Sequence, residues 1–298
     1  MAIRAAELAC SIAVMTSIPT IDGARSLAGR YPVWLCDIWG VLHNGVVAYP
    51  AASAALVAFR GAGGTAILIT NAPRPCDDVQ RQIASLGVSA EAHDAIVTSG
   101  DVTRALIVDY GKRPLFHLGP ERDSSLFAGT GARLTGIDGA VAVVCTGLID
   151  DVTETPDSYS DQLAAMRERN LPMICANPDI VVERGAAICY CAGAIGQAYE
   201  AIGGHVAYAG KPHTPIYEAA MARAAQVRGA AISKRDVLAI GDGLHTDILG
   251  ARRFGIDALF VASGIHLSPS EGLNEHTLAK LFSGQGPHPI AATAHLAW

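Results

Sequence analysis

Short apolar runs recur along this chain, and several break off at a polar residue able to do chemistry. Val33-Trp34-Leu35-Cys36 ends in Asp37, Leu68-Ile69 ends in Thr70-Asn71, and Val237–Ile240 ends in Gly241-Asp242. Runs this short, apolar at every position rather than at alternate ones, suit parallel strands covered on both faces. Helical segments lie between them. Pro50–Arg60 is Ala-rich and is stopped by Gly61, Gly63 and Gly64, and Asp101–Tyr110 is ended by Gly111. Asp77 and Gln80 have the form of a capping box, with Gly87 closing the helix they start. Thr214-Pro215 supplies a cap and a first-turn proline for Ile216–Val227. Thr246–Phe254, closed by Gly255, precedes a further strand at Ala258–Val261. Strand and helix in alternation predict an α/β fold built on a doubly wound parallel sheet.

A chain of 298 residues suggests about two domains, at roughly 100–200 residues each. Residues 89–205 carry their own strands, around Leu115–Leu118, Ala140–Cys145 and Met173–Ala176. They also carry their own helices, around Ser160–Arg169 and Gly193–Ile202. The expectation is a core made of residues 1–88 and 206–298, with 89–205 as an inserted α/β domain.

The net charge of −6 advertises no basic face for a nucleic acid polymer or an anionic lipid surface. The seven cysteines include no Cys-x-x-Cys, and Cys189 and Cys191 flank Tyr190 as alternating strand positions would. Buried thiols in a reducing cytosol fit this usage. The apolar stretch Leu8–Met15 is short and flanked by Glu7, unlike a signal peptide. No segment reaches the ~18 uninterrupted apolar residues of a membrane span. A cytoplasmic protein is expected, with no membrane partner.

Ligand sites in an open parallel sheet lie beyond the carboxyl ends of the strands, where Asp37, Thr70 and Asp242 all fall. Asp37 could attack phosphorus as a nucleophile or cap the turn that follows it. Gly40 would let backbone amides approach a phosphate. Thr70-Asn71 offers a hydroxyl and an amide to phosphoryl oxygens, or simply opens the turn at Pro73. Lys211, between Gly210 and Pro212, can neutralise charge as it builds up. Asp242 and Asp247 are hard oxygen ligands of a kind that suits Mg²⁺, although Asp247 could equally complement a helix dipole.

These segments, in this order, resemble the motifs of the haloacid dehalogenase (HAD) superfamily, and in particular its class IIA capped, NagD-type members. The first motif is similar to Asp37-Ile-Trp-Gly-Val-Leu, the second to Thr70-Asn71, the third to Lys211, and the fourth to Gly241-Asp242 through Asp247. The resemblance implies a Rossmann-like core with a cap inserted between the second and third motifs. It implies Mg²⁺-dependent hydrolysis of a small phosphorylated metabolite through an aspartyl-phosphate. Metal would rest on Asp37, the carbonyl of Trp39 and Asp242, with Asp247 in the metal site orienting its water or Lys211. Gly40, Thr70, Asn71 and Lys211 would bind the phosphoryl group. Asn177 and Asp179, with Gly193-Ala194, resemble cap segments that approach the substrate, and cap pairing would allow a homodimer.

The departure is Trp39, which stands where the family has an acid that protonates the leaving oxygen, although the first motif also resembles that of a class IIA subgroup with Asp-x-Trp-Gly. An indole cannot protonate that oxygen, and general acid–base catalysis contributes ~10²–10⁴-fold. His43 and His245 are candidate replacements, since histidine titrates near neutrality; His245, between Asp242 and Asp247, is the one expected to act. The alternative is a catalytically weak phosphometabolite-binding or regulatory protein. Metal-free dehalogenation fits poorly with Asp242. Cap-assisted phosphonate cleavage would need a lysine that only Lys112 could supply within 89–205.

Overall fold

Strand Val33–Asp37 is buried at every position, because it sits inside the main sheet with helices on both faces. The computed structural model describes residues 17–184, 187–262, 272–283, 286 and 288–298, so Leu8–Met15 lies outside the described residues. Among these residues six parallel strands form the main sheet. Their spatial order is Ala291–Thr293, Asp257–Val261, Val237–Gly241, Val33–Asp37, Thr65–Thr70 and Ala95–Thr98.

Alternate side chains feed two separate cores. Val33 and Leu35 pack with Ile67, Ile69, Val237 and Ala239 under Ile216, Tyr217 and Ala220 of helix Thr214–Arg228. Trp34 and Cys36 pack on the other face, with Leu56 and Phe59 of helix Pro50–Gly61 and Val79 and Ile83 of helix Cys76–Ser85. Two covered faces explain why the runs read as continuous apolar stretches. The doubly wound α/β reading therefore holds.

A second sheet, of five strands, has the order Val206–Tyr208, Met173–Cys175, Ala142–Cys145, Pro114–Leu118 and Arg133–Leu134. It too is parallel and covered on both faces. A two-stranded antiparallel hairpin, Val181–Arg184 with Ala187–Tyr190, stands beside it and buries Cys189. The joins between the units differ from the expected 88/89 and 205/206. Ala95–Thr98 pairs with Thr65–Thr70 in the main sheet, and Val206–Tyr208 pairs with Met173–Cys175 in the second. A short apolar run reads alike in either sheet, so composition does not mark which one it joins. Helix Ser99–Tyr110 spans the join, with Val102 in one core and Ile107 in the other.

Two local expectations also change. The helix after Pro75 begins at Cys76, not at an Asp77 cap, and the Cys76 N–H donates to the Asp101 carboxylate at 3.1 Å. Gln80 pairs instead with His93 at 2.6 Å. The segment after Asp242 opens with a π-helical turn, Leu244–Ile248, before helix Leu249–Phe254. Among the described residues no helix is long and apolar enough to cross a membrane.

Phe59, 1% exposed, stacks on Trp34 with ring centroids 3.7 Å apart and planes 5° from parallel. Phe59→Ala should lower unfolding free energy by about 3–5 kcal/mol, the usual cost of emptying such a core position. Urea denaturation checks this, and an unchanged midpoint would mean that the pair contributes nothing.

Candidate active site

The chain leaves strand Val33–Asp37 toward Thr65–Thr70 on one side, while Val237–Gly241 continues toward Asp257–Val261 on the other. Loops diverging from adjacent strands leave a crevice at this switch point. Asp37 and Asp242 stand on its two edges.

Asp37 is 6% exposed. Its Oδ1 accepts hydrogen bonds from the Ile38 N–H at 2.8 Å and from Lys211 Nζ at 2.6 Å. Lys211, 2% exposed, also donates to Asp247 Oδ1 at 2.8 Å. The other Asp247 oxygen accepts from the Gly243 N–H at 3.1 Å and the Thr246 hydroxyl at 3.3 Å. Asp247 therefore has both oxygens engaged by protein and holds Lys211 and the turn.

Lys211 is held from behind by Asn71. The Lys211 N–H donates to Asn71 Oδ1 at 2.7 Å, and Asn71 Nδ2 donates to the Lys211 carbonyl at 2.9 Å. The same Nδ2 donates to Asp179 Oδ1 at 2.8 Å. The Asn71 carboxamide is thus a bracket between segments, not a free phosphoryl donor as expected. Gly210 makes the bracket possible, since a Cβ there would lie 2.3 Å from Asn71 Oδ1.

Gly40 also differs from expectation. Its N–H donates to the His43 carbonyl at 2.8 Å, so this amide is not aimed at a phosphate. What the position requires is the absence of a side chain: φ is +84°, and a Cβ would fall 2.1 Å from Asp242 Oδ2. Thr70, 6% exposed at its strand end, accepts from the Ala72 N–H at 3.2 Å and lines the cavity above Asp37.

Carboxylate oxygens of Asp37, Asp242 and Asp247 lie within 4.8 Å of one another. Burial and the charge of Asp247 push the Asp37 carboxyl up to about 7, against the pull of Lys211. Burial, then Asp37 and Asp247, hold the Asp242 carboxyl well above the usual range. Burial works against the Lys211 ammonium, but Asp247 and Asp37 override it and keep it charged. One ammonium does not balance three carboxylates in a buried crevice. Carboxyls this crowded keep their protons unless positive charge is supplied, and the all-oxygen donors suit a hard divalent cation, which fits the residues present.

A cavity of about 540 Å³ opens over Asp37, Lys211 and Asp242, and a second of about 360 Å³ adjoins it. Trp39 lines both. Its ring meets His43 edge-on, with centroids 5.1 Å apart, and Gly45 lies against it so closely that a Cβ would fall 2.5 Å from the ring. His43 is 1% exposed, and its Nδ1 accepts the Gly45 N–H at 2.9 Å. Burial, aided by Arg74, lowers its pKa to about 4, so this ring stays neutral. His245 is exposed on the π-helical turn and lines only the larger cavity.

From the second sheet, Asn177 and Asp179 reach the crevice. Asn177 Oδ1 accepts the Asp179 N–H at 3.0 Å, so it shapes the loop that presents Asp179. Gly193 lies so close that a Cβ would fall 2.2 Å from the Pro178 carbonyl, and its N–H donates to the Asp179 carbonyl at 3.1 Å. Sequence reasoning missed Arg74, Arg122 and Arg184 in the smaller cavity, and Tyr208 stacked on His213 at 4.7 Å in the larger one. They come from separate loops with no shared spacing. The Gly-Lys-Pro before His213 is the one signal that pointed near any of them.

A family model for haloacid dehalogenase-like hydrolase matches residues 34–133, and one for HAD-hydrolase-like proteins matches residues 208–282. A search of curated proteins found no match. Among solved structures, the chain is similar to a hydrolase of the haloacid dehalogenase-like family from Brucella suis. That structure is 43% identical with TM-score 0.84, over 93% of this chain and 100% of that one. A possible sugar phosphatase from Cytophaga hutchinsonii is 23% identical with TM-score 0.75, over 93% of this chain and 98% of that one. NagD from E. coli K-12 is 23% identical with TM-score 0.66, over 90% and 97%. The latter two likenesses are of fold.

The raised Asp37 pKa has a consequence for stability. A carboxyl at about 7 in the folded chain, against 3.8 ordinarily, binds its proton more tightly when folded. Its contribution is complete below pH ~4 and is lost as pH rises through ~7. In EDTA, Asp37→Asn should therefore gain melting temperature over the wild type as pH is raised from about 4 to about 8. Mg²⁺ added at the upper pH should raise the wild type more than the variant. A pH-independent difference between the two would contradict the crowding of charge described here.

Proposed function

This chain belongs to the haloacid dehalogenase-like hydrolase family, and from that premise we propose that it is a Mg²⁺-dependent phosphohydrolase of a small phosphorylated metabolite. The observation that carries this reading is the Asp37 carboxylate, held at 2.6 Å by Lys211 beside Asp242 under a cavity of about 540 Å³. Nothing in that constellation serves the sheet itself. A buried cation and a crowd of acids are costly to stability and are retained at sites that use them.

In this reading Asp37 attacks phosphorus, the bond from phosphorus to the ester oxygen breaks, and the phosphoryl group passes to the carboxylate as an aspartyl-phosphate. Water then cleaves that acyl phosphate, returning the carboxylate and releasing phosphate. Lys211 stays on the attacking oxygen and offsets charge on the phosphoryl group. The Thr70 hydroxyl binds a phosphoryl oxygen. Asn71 and Asp247 work at one remove, the first fixing the Lys211 backbone and the second its ammonium. Asp37, Asp242 and the Trp39 carbonyl would hold Mg²⁺, which when bound supplies positive charge to the phosphoryl oxygens. The volume of the cavity fits a small leaving group and not a polymer.

Hydrolysis of p-nitrophenyl phosphate with Mg²⁺ tests the reading. Activity should appear in the wild type, vanish in EDTA and fall to background in Asp37→Asn. Lys211→Met should lower kcat by roughly 10²–10³-fold, as does loss of a comparable electrostatic donor. Equal rates in the wild type and Asp37→Asn would refute the assignment of the nucleophile.

A further inference from the structure

Trp39 cannot pass a proton to an alcohol oxygen, so hydrolysis of an alkyl phosphate needs another acid. The two cavities above the crevice meet along four residues that line both: Trp39, Thr70, Asp179 and Val182. Asp179 is the one of these with an ionisable side chain. It reaches the junction from the loop after strand Met173–Cys175, within hydrogen-bond distance of Asn71 from the main sheet.

That loop is built to hold its carboxyl still. Asn177 takes the Asp179 N–H, Gly193 takes its carbonyl, and Asn71 donates to Oδ1 at 2.8 Å. Asn71 also brackets the Lys211 backbone, and Lys211 sits on Asp37 at 2.6 Å. A continuous set of hydrogen bonds thus fixes Asp179 relative to the nucleophile. The two histidines are placed less well. His43 is buried with Nδ1 committed to Gly45 and lines only the smaller cavity, while His245 is exposed and lines only the larger.

We propose that Asp179 is the proton donor and acceptor of the reaction, carrying from the inserted domain the function that Trp39 lacks. The inference rests on the phosphohydrolase reading above. As the bond from phosphorus to the ester oxygen breaks, the Asp179 carboxyl gives its proton to that oxygen, which leaves as the alcohol. The resulting carboxylate then takes a proton from the water whose oxygen attacks phosphorus. The bond from Asp37 to phosphorus breaks, phosphate departs, and Asp179 is again protonated. Burial raises the carboxyl above its ordinary range, which favours the protonated form that the first step requires. The groups facing it are Lys211 and Asp247 from the main sheet and the Cys175 and Cys191 thiols from the second. Asn71 and Lys211 oppose the rise and Asp247 adds to it.

Asp179→Asn keeps an oxygen for Asn71 and removes only the proton. With glycerol 2-phosphate, whose alkoxide is a poor leaving group, kcat should fall about 10²–10³-fold. With p-nitrophenyl phosphate, whose phenolate departs unaided, the first-turnover burst of nitrophenol should persist within about tenfold. The wild-type rate on the alkyl ester should fall at high pH as Asp179 loses its proton, and the variant should lack that limb. Equal loss of the first turnover on both esters would mark Asp179 as a structural latch and overturn the proposal. So would unchanged turnover of glycerol 2-phosphate. Wild-type release of nitrophenol that Asp37→Asn abolishes secures the underlying reading separately; a wild type that cleaves neither ester overturns both.

Discussion

Lys211 between Asp37 and Asp247 is the interaction around which this molecule is arranged. A single ammonium bonded at 2.6 and 2.8 Å to two buried carboxylates, with Asp242 beside them, is not a stable way to fill a crevice. It persists because the backbone around it is over-determined. Asn71 grips Lys211 from both sides, and Gly241 has no Cβ where one would lie 2.1 Å from the Asp247 carboxyl carbon. Each segment that carries a charge is pinned by a neighbour that carries none.

That division explains which parts of the site were legible in the sequence. Asp37, Thr70 and Asp242 each interrupt an apolar run at a strand end, so their placement followed from the sheet alone. Lys211 stood out through its glycine and proline neighbours. The bracing residues were harder to read because their chemistry mimics that of ligands. An amide like Asn71 suits a phosphoryl oxygen as well as a peptide group, and only the fold reveals that the peptide has taken it. Gly40 is expected to give backbone amides room near a phosphate, whereas the structure gives the room to Asp242. Asp247 is expected to orient a metal-bound water or Lys211, and the structure bonds it to Lys211 while Gly243 and Thr246 take its second oxygen.

The fold was legible for a similar reason and failed at similar places. Unbroken apolar runs imply strands covered on both faces, and both large sheets are built that way. Which sheet a run joins is a long-range fact. Ala95–Thr98 and Val206–Tyr208 carry no mark of their partners, so the joins at 88/89 and 205/206 were misplaced by one strand each. Likewise Asp77 had the form of a helix cap, but Asp101, from the next helix, reaches the Cys76 N–H and sets the helix start. Tertiary partners override local signatures wherever two segments compete for one amide.

The two sheets also divide the chemistry between them. The main sheet contributes Asp37, Thr70, Lys211 and Asp242, which the proposed reaction assigns to the phosphoryl side of the ester. The second sheet contributes Asp179 and the walls that a leaving group would meet. Trp39 sits on the boundary, and its ring makes that boundary apolar and rigid, braced by His43 and Gly45. An indole there adds no charge to the crowd of Asp37, Asp242 and Asp247. Asp179, the proposed proton-handling group, lies within the influence of both Lys211 and Asp247. The Asn71 bond that orients Asp179 joins the main sheet to the loop after Met173–Cys175, so the nucleophile and the proposed acid are held in one frame.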